Sequence, residues 1–159
     1  MNVEAVQTAS HRVFINMAKQ LSRGLRNNNP GNIRLSATTY QGEVASTDKA
    51  FKQFKSMTYG YRAMFVLLHS YQRKHHLNTI TEMINRYAPA VENHTEAYIK
   101  AVSEWSGVPA TSHITATNGD IMIPIVAAMS RVENGIEANM VDVEKGWRLF
   151  ITDYRNHNI

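Results

Sequence analysis

The sequence predicts a mainly α fold, about six helices with one small β-ribbon (an α+β arrangement in which the strands are minor), in a single domain over residues 1–159. Three observations predict it. Apolar residues recur at helical spacing over most of the chain, segments rich in Asn, Pro and Gly interrupt them about one helix length apart, and strand-like alternation is confined to one short stretch. With 159 residues, 43% hydrophobic and 19% charged, the chain can bury a substantial core.

The elements follow in order. Phe14, Met17, Ala18, Leu21 and Leu25 share one helical face, which predicts a helix from about Thr8 to Arg23. The run Arg23-Gly24-Leu25-Arg26-Asn27-Asn28-Asn29-Pro30-Gly31-Asn32-Ile33-Arg34 then reads as a structured loop. Asparagine tolerates the left-handed region, proline restricts φ and glycine permits positive φ. Thr38 to Val44 and Ala50 to Phe54 alternate around turn residues and predict the ribbon. Tyr61, Met64, Phe65, Leu68 and Tyr71 mark a long helix with Ser56 as its cap, ending near Lys74-His75-His76. Asn78 or Thr79 caps a short helix that Pro89 terminates. A helix from Asn93, with Glu96 three residues on, buries Tyr98, Ala101, Val102 and Trp105 and closes at Gly107 and Pro109. Thr117 and Asp120 open the next, with Met122, Ile125, Val126, Met129 and Val132 inside, Pro124 near its first turn and Asn134-Gly135 as the stop. Val143, Trp147, Phe150, Ile151 and Tyr154 define the last.

Composition excludes several chemistries. Zero cysteines remove disulfides, thiol nucleophiles and cysteine-zinc sites. No Gly-x-Ser-x-Gly, Gly-Lys phosphate loop or His-Glu-x-x-His pattern occurs, and His75-His76 read as a solvated basic helix end, so neither cofactor nor metal is expected. No apolar run reaches the ~18 residues of a membrane span. The formal charge of +4 favours an anionic partner. Met1-Asn2-Val3-Glu4 begins no secretion leader, so action outside the cytoplasm would need lysis, packaging or injection.

Glu133 and Glu92 have opposite settings among the acidic residues. Glu133 sits in the last turn of an apolar helix, where the carbonyl end of the dipole disfavours its charge and raises its pKa. A carboxyl that keeps its proton can act as a general acid, whereas at a frayed helix end it would simply be exposed. Glu92 precedes the Asn93 cap, where exposed N–H groups lower its pKa. There it serves either as helix-end electrostatics or as a second carboxylate that orients water or stabilises a cationic transition state. Glu43, beside Gly42 in the ribbon, is a third candidate. Glu4, Asp48, Glu82, Glu96, Glu104 and Asp153 are expected to face water. The amides of Asn28 and Asn29 and the Gly31 backbone suit sugar N-acetyl and hydroxyl groups, and they equally suit a helix-ending loop. Tyr40, Tyr59 and Tyr87 fit either the core or a sugar cleft.

Taken together, the asparagine loop, Tyr59-Gly60-Tyr61-Arg62-Ala63-Met64, Asn78-Thr79-Ile80, Arg86-Tyr87-Ala88-Pro89, Glu92-Asn93-His94-Thr95 and Glu133-Asn134-Gly135 resemble a family of phage and prophage virion proteins with a lysozyme-like relationship. The resemblance runs from about Arg23 to Gly135. The loop, with Tyr40-Gln41-Gly42 and Phe51 to Phe54, is also similar to flagellar-type glucosaminidases, which cleave peptidoglycan. Those enzymes carry their acid on the helix before the loop, whereas Ser10 to Leu21 contains no acidic residue. The segment Val126 to Gly135 is similar to the glutamate-bearing helix of lytic transglycosylases and glucosaminidases. A circular rearrangement of a lysozyme-like core would reconcile the two, and it requires Glu133 within about 15 Å of the asparagine loop.

The resemblance implies a peptidoglycan glycosidase of lysozyme, glucosaminidase or lytic transglycosylase type, with Glu133 as proton donor and Glu92 assisting. Asn28, Asn29, Gly31, Tyr87 and Glu43 would meet substrate. Its partners would be peptidoglycan and other virion proteins, and it would reside in the virion or host cytoplasm and act on the periplasmic wall. A noncatalytic virion or wall-binding protein is the alternative. A nucleic-acid binder using Arg23, Arg26, Arg34, Arg73 and Lys74 comes last, since no recognition helix or compact basic run supports it and no nucleic acid is expected as partner.

Overall fold

The computed structural model describes residues 21–89 and 92–157, the side chains of Glu92 and Asn93 excepted. Within them the fold is mainly α: α1 Arg23–Arg26, β1 Glu43–Val44, β2 Gln53–Phe54, α2 Met57–His75, α3 Ile80–Tyr87, α4 Glu92–Ser106, α5 Gly119–Asn134 and α6 Met140–His157. Of the helix expected over Thr8 to Arg23, only the last three residues are described. There Ser22 is an N-cap whose hydroxyl accepts from the Leu25 N–H at 3.3 Å, so the first part of the expected loop is a helical turn instead.

The strands are antiparallel, with Glu43 opposite Phe54 and Val44 opposite Gln53, and a single bridge joins Arg34 to Phe51. The long helices obey their stop and start signals. Thr79 accepts from the Glu82 N–H while Glu82 accepts from Asn78, a reciprocal cap. Gly135 takes φ 74° to end α5. Asn118, rather than Thr117, caps α5, and Pro124 stands in its second turn, beyond the expected place.

The core has two layers. Tyr61, Met64, Phe65 and Leu68 of α2 meet Val143, Phe150 and Ile151 of α6, with Trp147 edge-on to Phe65 at 5.0 Å. Met122, Ile125, Val126 and Met129 of α5 meet Tyr98 and Val102 of α4. Three sequence expectations fail on the periphery. Trp105 is 45% exposed, lying under the Arg131 guanidinium at 4.0 Å instead of in the core. Asp153 pairs with the buried Arg62 at 2.7 Å. The Asp48 carboxylate, its side chain only 9% exposed, is bonded on all sides instead of facing water.

Candidate functional site

The asparagine loop is held by its own amides. Asn29 is fully buried, donating to the carbonyls of Ile33 and Lys52 and accepting from the Ile33 N–H, each at 2.9 Å. Asn28, at φ 50°, donates to the Phe54 carbonyl. Asn27 donates to Asp48, which also takes both Nε and Nη2 of Arg23 at 2.6 Å and the N–H groups of Ala50 and Phe51. These five hydrogen bonds from four residues hold the Asp48 carboxyl well below the usual carboxylate range, the Arg23 hydrogen bond contributing most. From α5, Asn134 donates to the Pro30 carbonyl at 2.8 Å and accepts from Ser22. The buried Asn29 amide is thus spent on knitting the loop to the ribbon, and one Asn28 N–H serves the same end.

Gly31 has a steric duty. A Cβ there would lie 2.3 Å from the Tyr87 hydroxyl and 2.9 Å from the Met64 side chain, so only glycine lets the loop seat against α2 and α3. Tyr87 donates its hydroxyl proton to the Gly31 carbonyl, and burial raises its pKa. Gly60 plays the matching part in α2, where a Cβ would strike the Asn28 carbonyl.

Around this anchored loop opens a cleft of about 550 Å³. Gly31, Asn32 and Arg34 form one wall, Tyr40 and Phe51 the ribbon side, and Tyr71, Arg86 and Tyr87 the side of α2 and α3. The N-terminal half of α4 contributes His94, Thr95 and Tyr98, and α5 contributes Glu133. Glu133 and the asparagine loop thus meet directly: the Asn32 amide donates to the Glu133 carboxylate at 2.9 Å. Asn32 reaches it because its backbone lies in the left-handed region, at φ 48°.

The pKa of Glu133 is raised. Burial is the main cause, opposed by the Asn32 and Tyr98 side chains and by the charge of Arg34. The direction matches the sequence expectation, although desolvation, not the helix dipole, leads. Tyr98 packs against the carboxyl. Its hydroxyl is buried without a hydrogen-bond partner of good geometry among the described residues, and its pKa is raised well above the ordinary value, first by burial and then by Glu133. The buried Asn32 Oδ1 likewise lacks a donor. The cleft is therefore a place where polar groups are less than fully satisfied.

Other expected site residues lie elsewhere. Glu43 accepts from the buried Lys52 at 2.8 Å and from the Tyr40 N–H, and it is not among the residues lining this cleft. The ion pair neutralises a lysine whose ammonium also donates to the Ser36 and Thr38 carbonyls. Glu92 is the first residue of α4, one position earlier than the expected start, and its side chain lies outside the described residues. Tyr40 and Tyr87 line the cleft, whereas Tyr59 lies under Lys55, packed on Gly42.

Sequence reasoning passed over Asn32, Tyr98 and Arg86 as site residues and named Arg34 only as a nucleic-acid contact. An asparagine directly after Gly31 was the available signal for Asn32, and His94, Thr95 and Tyr98 share one helical face. Among the described residues, no three His, Asp or Glu side chains converge on a metal site, and no helix is long and apolar enough to cross a membrane.

No family model matches the sequence. The chain is 34% identical over 140 residues to Protein P5 of Pseudoalteromonas phage PM2, an alignment covering 85% of this chain and 86% of that protein. The chain belongs to the family of this phage protein.

Proposed function

We propose that the protein is a phage peptidoglycan glycosidase in which Glu133 is the general acid. The supporting observation is the Glu133 carboxyl itself: desolvated, with raised pKa, touched by Asn32 and Tyr98, and facing a cleft of tyrosines and cations. The resemblance of the Glu133 helix to those of lytic transglycosylases points the same way.

The chemistry follows from one carboxyl. Glu133 gives its proton to the glycosidic oxygen as the bond from the anomeric carbon breaks, and the resulting carboxylate faces the oxocarbenium-like centre. Glu133 is the one carboxylate among the described residues of the cleft. A single carboxyl suits intramolecular capture, in which the sugar's own C6 hydroxyl attacks the anomeric carbon and returns its proton to Glu133, giving an anhydro end. Hydrolysis would draw on a second carboxylate, and Glu92 is the candidate. Delivered in a particle or at lysis, the enzyme would act on the periplasmic wall.

Mass spectrometry of purified sacculi digested by wild type, Glu133→Gln and Glu92→Gln tests this reading. Anhydro fragments from wild type and Glu92→Gln, with none from Glu133→Gln, are expected. Sacculi that bind wild-type protein yet release nothing, while a control lysozyme works, would replace the enzyme with a wall-binding virion component.

A further inference from the structure

Three basic residues packed around the loop and the core have carboxylate partners. Arg23 is held by Asp48, Lys52 by Glu43 and Arg62 by Asp153. Arg34 and Arg86, like Lys55 over Tyr59, have an aromatic partner and no carboxylate partner among the described residues. Both line the cleft that holds Glu133, and neither forms an ion pair or a side-chain hydrogen bond with a described residue. Each guanidinium is stacked on an aromatic ring, Arg34 on Phe51 at 5.1 Å and Arg86 on Tyr71 at 5.4 Å. A cation–π contact engages the ring and leaves guanidinium N–H groups that no described residue accepts, and such groups can donate in pairs to a carboxylate. The aromatic support also limits the conformational freedom lost on binding.

Resting on the glycosidase reading above, we infer that Arg34 and Arg86 bind free carboxylates of the stem peptides on the glycan strand. The cleft thereby selects an acid-bearing, peptide-substituted glycan over a neutral amino-sugar polymer. A bare glycan of N-acetylated sugars offers these two cations nothing to neutralise, whereas stem peptides present carboxylates along the strand. Arg34 also acts electrostatically on Glu133, so Arg86 gives the cleaner test.

The test separates binding from cleavage. In the Glu133→Gln background, the affinity for soluble peptide-bearing glycan strands is compared with that for the same strands after carboxyl amidation and with that for chitin oligomers. Amidation is expected to weaken binding about tenfold, as loss of a charge-assisted pair would. Adding Arg86→Gln should weaken native-strand binding several-fold and reduce, without abolishing, the further effect of amidation, because Arg34 remains. Arg86→Lys should restore part of it. Equal binding of native, amidated and chitin strands would overturn the inference even where wild type cleaves sacculi. Wild type that cleaves nothing, together with amidation-sensitive binding, would sink the glycosidase reading and leave the carboxylate site standing.

Discussion

The asparagine loop has two faces, and each ends in a carboxyl. On the ribbon face Asp48 collects donors from Arg23, Asn27, Ala50 and Phe51. On the cleft face burial raises the Glu133 pKa, and the Asn32 amide, the Tyr98 side chain and the charge of Arg34 only partly offset it. The first arrangement favours the anion and the second favours the neutral acid. The satisfied face holds the backbone, and the less satisfied face raises the pKa of one carboxyl, as the proposed general acid requires.

The largest expected effect would break the chemical half of this contrast. Glu133→Gln should lower fragment release from sacculi at least ~100-fold, the usual loss for a general acid. Asp48→Asn, compared at a temperature where it stays folded, should lose far less. Equal losses in the two variants would mean that the faces are not functionally distinct.

The structural half is probed through Asn29. Replacing it by alanine removes three buried hydrogen bonds and should cost roughly 3 kcal/mol in urea unfolding, because the stranded carbonyls and N–H find no substitute. Asn32→Ala should cost less stability. It should move the alkaline limb of the activity profile upward, since the Asn32 hydrogen bond lowers the Glu133 pKa.

Opposite pKa shifts also predict opposite pH dependence of stability. Asp48 titrates lower in the folded than in the unfolded chain. Its contribution is complete above the unfolded value of about 3.9 and is lost as pH falls below it, so Asp48→Asn should flatten acid unfolding. Glu133 titrates higher when folded, so the native state holds the extra proton and stability declines as pH rises above about 4.3 through the folded value. Glu133→Gln should abolish that decline in thermal melts recorded from pH 4 to 8. Smallest of all, Tyr98→Phe should leave stability nearly unchanged, because its hydroxyl lacks a good partner. The activity limb should rise slightly, because Tyr98 lowers the Glu133 pKa.

Periodicity and stop signals made the helices legible. The α5 end at Asn134-Gly135 could be read directly, and the α3 start was narrowed to Asn78 or Thr79, since both depend on neighbours in sequence; Glu82, read as facing water, closes the Thr79 cap. The nearness of Glu133 to the loop came through resemblance and not through local chemistry, because the Asn32 contact joins residues 101 positions apart. What the sequence hid was the direction of each amide. Asn27, Asn28, Asn29 and Asn32 are chemically alike, and it is the ribbon packed behind Asn28 and Asn29 and the end of α5 beside Asn32, both distant in sequence, that turn some inward and one into the cleft. Trp105 was misread for a related reason: its position fits the helical stripe, but Arg131 covers it from the solvent side.

The central claim is that Glu133 keeps its proton above the range of an ordinary carboxyl. A ¹³C NMR titration of the glutamate side-chain carboxyls, with Glu133 assigned by its disappearance in Glu133→Gln, measures this directly. The account predicts a midpoint displaced upward from the other glutamates and displaced further in Asn32→Ala. A Glu133 midpoint at or below the ordinary value would contradict it.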